Sequence, residues 1–169
     1  LMLHPLIALV DRGVIEGRGL IAQGLIKAGE VISIVPPETP RTLLTELFSW
    51  TPEKQDEFLI HSYQYSETEC LSEQDESQYM NHSCDPNTWW RDDETMVARR
   101  DIQPGEEITY DYATTEIAVP MDMTCRCGSP LCRGRVTNQD YLIPDWQKRY
   151  GDSVPRHTKN AIARAQKGD

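Results

Sequence analysis

Cys125-Arg126-Cys127-Gly128-Ser129-Pro130-Leu131-Cys132 places three thiols within eight residues, spaced C-x-C-x4-C. Gly128-Ser129-Pro130 is turn chemistry, and it bends the chain so that the outer thiol returns towards the first pair. Zinc takes four ligands in a tetrahedron, with Zn–S of about 2.3 Å, so three local thiols leave one position open. The candidates are the two remaining thiols, Cys70 and Cys84, and His82. A closed set of four thiolates is a structural site, with no position left for water. Arg126 and Arg133 lie where they can offset the charge of bound thiolates.

Working outward, the five cysteines are an odd number. With no export signal read at the N-terminus, reduced thiols or metal ligands are expected rather than a disulfide framework. The opening Leu1–Val10 is apolar but lacks a basic n-region and a small-residue cleavage site, so it reads as a first strand and not a signal peptide. Leu1 before Met2 points to a trimmed or tagged start. No run of about 18 apolar residues occurs, which excludes a spanning helix. An intracellular protein is expected, nuclear or cytoplasmic, not secreted and with no membrane partner.

The formal net charge is −10 and it is uneven. Residues 1–124 carry 8 basic and 23 acidic side chains, whereas residues 125–169 carry 9 basic and 4 acidic. Between Glu38 and Glu76 ten acids face only Arg41 and Lys54. Such a field draws a cationic partner, a Lys- or Arg-rich peptide or protein, and suits a phosphate backbone poorly. No direct nucleic-acid binding is therefore expected.

Short β-like runs cover Leu6–Val10, Leu20–Gln23, Val31–Val35, Thr88–Arg91, Met96–Arg99 and Glu107–Tyr112, with Asp92-Asp93 as a hairpin turn. Arg41–Trp50 reads as a helix with Leu43, Leu44, Leu47 and Phe48 on one face. A second helix starts at Thr51-Pro52-Glu53 and runs to about Ile60, with Thr as N-cap and Pro at the first helical position. Pro144–Tyr150 and Pro155–Ala165 read as two short helices of a tail. Strand and helix do not alternate regularly, so a mainly β fold with short helices is expected rather than a doubly wound nucleotide fold.

Two further segments carry polar and aromatic residues in unusual density. They are Tyr79-Met80-Asn81-His82-Ser83-Cys84-Asp85-Pro86-Asn87 and Gly105-Glu106-Glu107-Ile108-Thr109-Tyr110-Asp111-Tyr112. Preceded by Glu16-Gly17-Arg18-Gly19-Leu20-Ile21-Ala22 and followed by Cys125–Cys132 with Arg133-Gly134, they stand in an order that resembles the SET-domain family of protein lysine methyltransferases. The likeness spans roughly residues 13 to 135.

The resemblance implies a β-clip of small sheets in which Asn81–Asn87 and Gly105–Tyr112 make a knot-like crossing beside the active site. It implies a SET domain over 1–118 with a helical acidic insert at about 38–77, a post-SET zinc segment over 119–136, and a helical tail over 137–169. It implies Cys84 as the fourth zinc ligand beside Cys125, Cys127 and Cys132, leaving Cys70 spare. The implied cofactor is S-adenosylmethionine, contacted by Gly17, Arg18, Gly19, Asn81 and His82, with glycine allowing close backbone approach. Tyr112 matches the tyrosine that orients the acceptor lysine. Tyr110 matches the position where the family alternates Tyr and Phe, and a Tyr there implies mono- or dimethylation.

A free lysine at pH 7 lies about 3.4 units below its pKa, an unfavourable ~4.6 kcal/mol, so such a site has to lower that pKa. Some residues depart from the family pattern. Val35 stands where an aromatic residue usually lines the acceptor channel, Pro36-Pro37 follow it, and Gln78 stands where Arg is common. A SET-like module that binds cofactor or peptide without transfer, or transfer to a non-protein acceptor, are the alternative readings.

Overall fold

The computed structural model describes residues 3–168, so the reading made on Leu1 and Met2 lies outside it. Among the described residues the chain forms small sheets of strands two to four residues long. β1 (Ile7–Val10) pairs antiparallel with β2 (Gly19–Ala22). β3 (Val31–Ile34), β8 (Thr88–Trp90) and β9 (Thr95–Ala98) form a sheet in the order β3-β9-β8. β4 (Arg41–Leu43), β5 (Ser62–Gln64) and β6 (Glu69–Ser72) form another in the order β4-β6-β5. β7 (Asn81–His82) runs parallel to β10 (Thr109–Tyr110), and β11 (Asp122–Thr124) pairs antiparallel with β12 (Arg135–Thr137). The helices are α1 (Leu44–Leu47), α2 (Pro52–Leu59), α3 (Pro144–Tyr150) and α4 (Arg156–Lys167).

The central core gathers Leu20, Ile26, Ile32, Ile102 and Ile108, all fully buried, with Met80, Trp90 and Met96. Each such aliphatic side chain contributes roughly 1.5–3 kcal/mol when removed from water. A second cluster joins Cys84, Cys125, Val136, Trp146, Tyr150 and Val154, so α3 packs onto the thiol segment. Trp146 thus packs inward, while Leu142 and Ile143 before it stay largely exposed.

Several expected elements form nearly where the pattern puts them. The β8–β9 hairpin turns at Asp92-Asp93, with the Asp92 carboxylate accepting from Glu94 N at 3.0 Å. Thr51 caps α2 by accepting from Lys54 N at 3.3 Å, and Pro52 takes the first helical position. The helix expected over Arg41–Trp50 is corrected. Arg41-Thr42-Leu43 is strand β4, in register with Leu71, Cys70 and Glu69, and only Leu44–Leu47 is helical. The third core cluster takes Leu44 and Leu47 alone, while Leu43 and Phe48 are 53% and 45% exposed. Pairing with an existing strand outweighed a helical periodicity of four residues, which is too short to nucleate on its own. The acidic stretch thus carries the strands β4, β5 and β6 as well as the two helices.

The strand expected over Glu107–Tyr112 is also shorter. Its start is set by a turn in which Glu106 N donates to Gln103 O at 3.1 Å, with Pro104 and then Gly105 at φ +88°. That left-handed φ is open to glycine at little cost. After Tyr110 the chain leaves the strand, because the Asp111 side chain accepts from Ala113 N and caps a 3-10 turn at Tyr112–Thr114.

Candidate active site

The thiols of Cys84, Cys125, Cys127 and Cys132 all lie within 4.8 Å of one another. Cys84 comes from the loop after β7, and the other three from the loop between β11 and β12. A tetrahedron with Zn–S of about 2.3 Å has S···S edges of about 3.75 Å. The Cys84 Sγ···Cys125 Sγ distance is 3.7 Å. Burial pushes the Cys84 thiol up to about 11, so this thiol becomes thiolate only with a cation to offset it. Donor type, number and spacing fit zinc. Cys70 is apart from them, buried in β6 against Leu44, Leu47 and Val119. Of the two flanking arginines, Arg126 is exposed, while Arg133 donates its backbone N–H to Cys84 Sγ at 3.4 Å.

Arg133 leads to a residue the motif reading passed over. Asp111 is 1% exposed, between Tyr110 and Tyr112. Its carboxylate accepts two parallel bonds from Arg133, both at 2.8 Å, and further bonds from Trp146 Nε1 at 3.0 Å and Tyr150 Oη at 2.8 Å. Burial alone would raise its carboxyl, but the Arg133 guanidinium outweighs it and holds the group below the ordinary carboxylate value. Arg133 also donates to Asp140 at 2.8 Å. One buried acid thus ties the segment after β10, the thiol loop and α3 together.

His82 sits at the same junction. Burial pushes its imidazole down to about 4, so it is neutral at pH 7. Its Nδ1 accepts from Tyr112 N at 3.1 Å, which puts the proton on Nε2, 3.3 Å from Cys84 Sγ. The ring is fully engaged inside the protein, leaving the main chain for any outward contact.

Asn81 holds the Gly17–Gly19 loop. Its Nδ2 lies 3.0 Å from the carbonyl oxygens of Glu16 and Arg18 and 2.8 Å from Glu107 Oε2. Glu107, a second residue missed in sequence, is buried and accepts from Val14 N at 2.6 Å and Ile15 N at 3.2 Å. A Cβ at Gly19 would lie 2.9 Å from that carboxylate, so a side chain there has to push the Glu107 carboxylate aside from its donors. Gly17 differs, with φ +54° and nothing within 4 Å of a built Cβ, an open position next to Arg18. Arg18 stacks over Tyr79, its Cζ 4.4 Å from the ring centroid.

The rings of Tyr110 and Tyr112 lie 4.8 Å apart, and Tyr112 Oη donates to Met80 O at 2.7 Å. Tyr112 also meets His82 edge-on at 5.2 Å. Burial pushes the Tyr112 phenol up, with the Glu73 charge adding to it, so it is protonated at neutral pH. Two cavities open here, of about 350 and 150 Å³, and Tyr63, Glu73, Ser77, Met80 and Tyr110 line both. Val35 and Pro36 wall the larger one, and Tyr112 and Gln78 the smaller. The residues singled out in sequence therefore form one contiguous region, with the loop and Asn81 on one flank, the tyrosines between, and the thiols behind His82.

The SET domain family matches residues 17–113, more than half the chain, and the chain belongs to that family. It is 32% identical over 130 residues to histone-lysine N-methyltransferase ASHH3 of Arabidopsis thaliana, covering 71% of this chain and 35% of that protein. It is 27% identical over 140 residues to human histone-lysine N-methyltransferase 2B, covering 73% of this chain and 5% of that one. The chain thus spans about a third or less of these curated relatives. Among solved structures, that of KRYPTONITE in complex with mCHG DNA and SAH matches with a TM-score of 0.57 at 18% identity, covering 76% of this chain and 28% of that chain. The shared fold is the expected one, mainly β with short helices.

Proposed function

We propose that this chain is the catalytic unit of a protein lysine methyltransferase that uses S-adenosylmethionine. The observation that carries the reading is the pair Tyr110 and Tyr112, packed ring to ring where two cavities meet. Curated relatives named as histone-lysine methyltransferases support it. Bound between the Gly17–Gly19 loop, Asn81 and the main chain of His82, the cofactor supplies an electrophilic methyl group. The open Gly17 position and the exposed Arg18 guanidinium suit the carboxylate end of such a ligand. Tyr112, neutral and with its hydroxyl fixed on Met80 O, orients the acceptor nitrogen and is not a base. The protein's main contribution is alignment in a dry site. A basic protein, histone or other, is the proposed acceptor, in keeping with the acidity of residues 1–124. In a cell such a substrate places the protein in the nucleus or cytoplasm. Cys84, Cys125, Cys127 and Cys132 are the proposed zinc ligands.

Incubation with methyl-labelled cofactor and mixed basic proteins tests the reading. Protein labelling is expected, with Tyr112→Phe lowering kcat about 10²-fold, the scale of losing one polar contact aimed at the transition state. Tight cofactor binding with no transfer would favour a binding module, and label only in small molecules a different acceptor.

The Tyr110 hydroxyl narrows the space beside the acceptor, so mono- and dimethyl-lysine are the proposed products. Tyr110→Phe is expected to move the product distribution towards trimethyl-lysine by mass spectrometry. A wild-type product that is already mainly trimethylated counts against this role.

A further inference from the structure

Two polar groups at the cavity junction have no part in the scheme above. Tyr63, on β5, is 6% exposed and lines both cavities, yet its hydroxyl has no hydrogen-bond partner among the described residues. A buried hydroxyl without a partner is destabilising, a penalty that a ligand bound there removes. Glu73, just past β6, also lines both cavities. The Ser77 hydroxyl beside it donates to Asp75 and is also close enough to favour the charged form of Glu73. Glu116, the other acid lining the smaller cavity, is already engaged by Gln64 N and Thr115 Oγ1, both at 3.1 Å. Tyr63 and Tyr110 line both cavities with Glu73, and Tyr112 lines the smaller one, so the Glu73 side chain and these rings share one junction.

We propose that Glu73 is the acceptor's ammonium site and base: its carboxylate, with the Tyr63 hydroxyl as second contact, receives the protonated lysine and takes one proton. This rests on the methyltransferase reading and names the group that reading leaves out. In the step an N–H bond of the ammonium breaks and an O–H bond forms on Glu73. The electron pair stays on nitrogen, which becomes the neutral nucleophile. The apolar walls around the junction, Val35, Met80, Trp90 and Met96, suit the aliphatic stem of the side chain.

Burial, with Asp75 adding to it, pushes the Glu73 carboxyl up to about 7, where it exchanges a proton readily near neutral pH. The titratable groups around it are Asp75 in its own loop, Glu38 across the larger cavity, and His61, Tyr63, Tyr110, Tyr112 and Glu116 around the smaller one and the junction.

The test compares two synthetic peptide pools with random flanks, one with a fixed central lysine and one with norleucine there. Binding is measured to the protein loaded with S-adenosylhomocysteine. The lysine pool is expected to be retained about tenfold better by the wild type, and the preference to vanish in Glu73→Gln. Norleucine retained equally or better overturns the proposal, and this readout needs no variant to fold. Single-turnover transfer by Glu73→Gln is expected to fall about 100-fold at pH 7, with the gap closing as pH approaches about 10, where lysine deprotonates unaided. Transfer by Glu73→Gln with the wild-type pH profile overturns the base role while leaving the methyltransferase reading intact. No binding of either pool and no transfer by the wild type overturns both.

Discussion

Asp111→Asn is expected to destabilise the protein by about 3–5 kcal/mol, the cost of breaking a buried ion pair from one side. The carboxylate accepts from Arg133, Trp146 and Tyr150 at once. An amide of the same shape supplies one acceptor oxygen and brings two N–H donors into a ring of donors. The Arg133 side chain is only 13% exposed, so water does not rescue it, and Asp140 remains as its single partner. Urea unfolding followed by tryptophan fluorescence measures the loss, since Trp146 is part of the network. The exposed pair Arg135–Asp122 is the control, and Asp122→Asn is expected to leave the midpoint where it is. The pH dependence has a definite sign. The folded Asp111 carboxyl is held below its unfolded value of about 3.9, so its stabilisation is complete above that pH. It is lost as pH falls through the lower folded value, and the gap between wild type and variant closes only in strong acid. Equal stability of the two proteins at pH 7 would mean that the thiol loop and α3 are held by other contacts.

Asp111 also marks the boundary of what the residue string discloses. Short-range chemistry was legible. Thr51-Pro52 starts a helix because the cap and the fixed proline φ act within four residues, and Asp92-Asp93 turns a hairpin for a similar reason. The return of Cys132 towards Cys125 follows from Gly128-Ser129-Pro130, whereas assigning Cys84 rather than Cys70 or His82 to the same cluster needed the family resemblance. Residues whose partners come from distant parts of the chain were not legible. Glu107 meets Val14 and Ile15, Gln64 accepts from Ile117, Ala118 and Val119, and Asp111 meets Trp146 and Tyr150. Each reads in sequence as a solvated polar side chain. Each is a buried hub, because main-chain and side-chain donors left over by short irregular elements converge on it. Gly19 shows the same limit from the other side. The motif flags the glycine for approach to a cofactor, but the atoms that a Cβ would meet belong to Glu107. β4 was missed because its partner strand lies almost thirty residues on, while a helical pattern was visible within four.

Cys84→Ser is expected to abolish zinc binding and to loosen the C-terminal third of the chain, whereas Cys70→Ser keeps the metal. Cys84 is the one thiol of the four that belongs to the β7–β8 loop, so its loss cuts a crosslink and not merely a ligand. The other three lie within eight residues and close only a short loop. Metal binding by buried thiols releases protons and contributes folding free energy, about 10–16 kcal/mol for whole zinc-finger peptides. Here much of the fold has its own core around Leu20, Ile32 and Ile108, so the effect concentrates on β11, β12 and α3. Plasma emission on the purified protein is expected to find about one zinc per chain in the wild type and in Cys70→Ser, and almost none in Cys84→Ser. Hydrogen exchange is expected to rise over residues 119–150 and to stay unchanged in β8 and β9, and a chelator should reproduce it. Asp111, just after β10, and a metal on Cys84, just after β7, would fasten the thiol loop to the same pair of strands, so the two losses are expected to be coupled. The double variant Asp111→Asn, Cys84→Ser should be less destabilised than the sum of the singles, because the second cut frees a segment already released. Retention of zinc by Cys84→Ser would show that the three clustered thiols hold the metal without the body of the protein, and strict additivity would mean that the two fastenings act on separate parts of the chain.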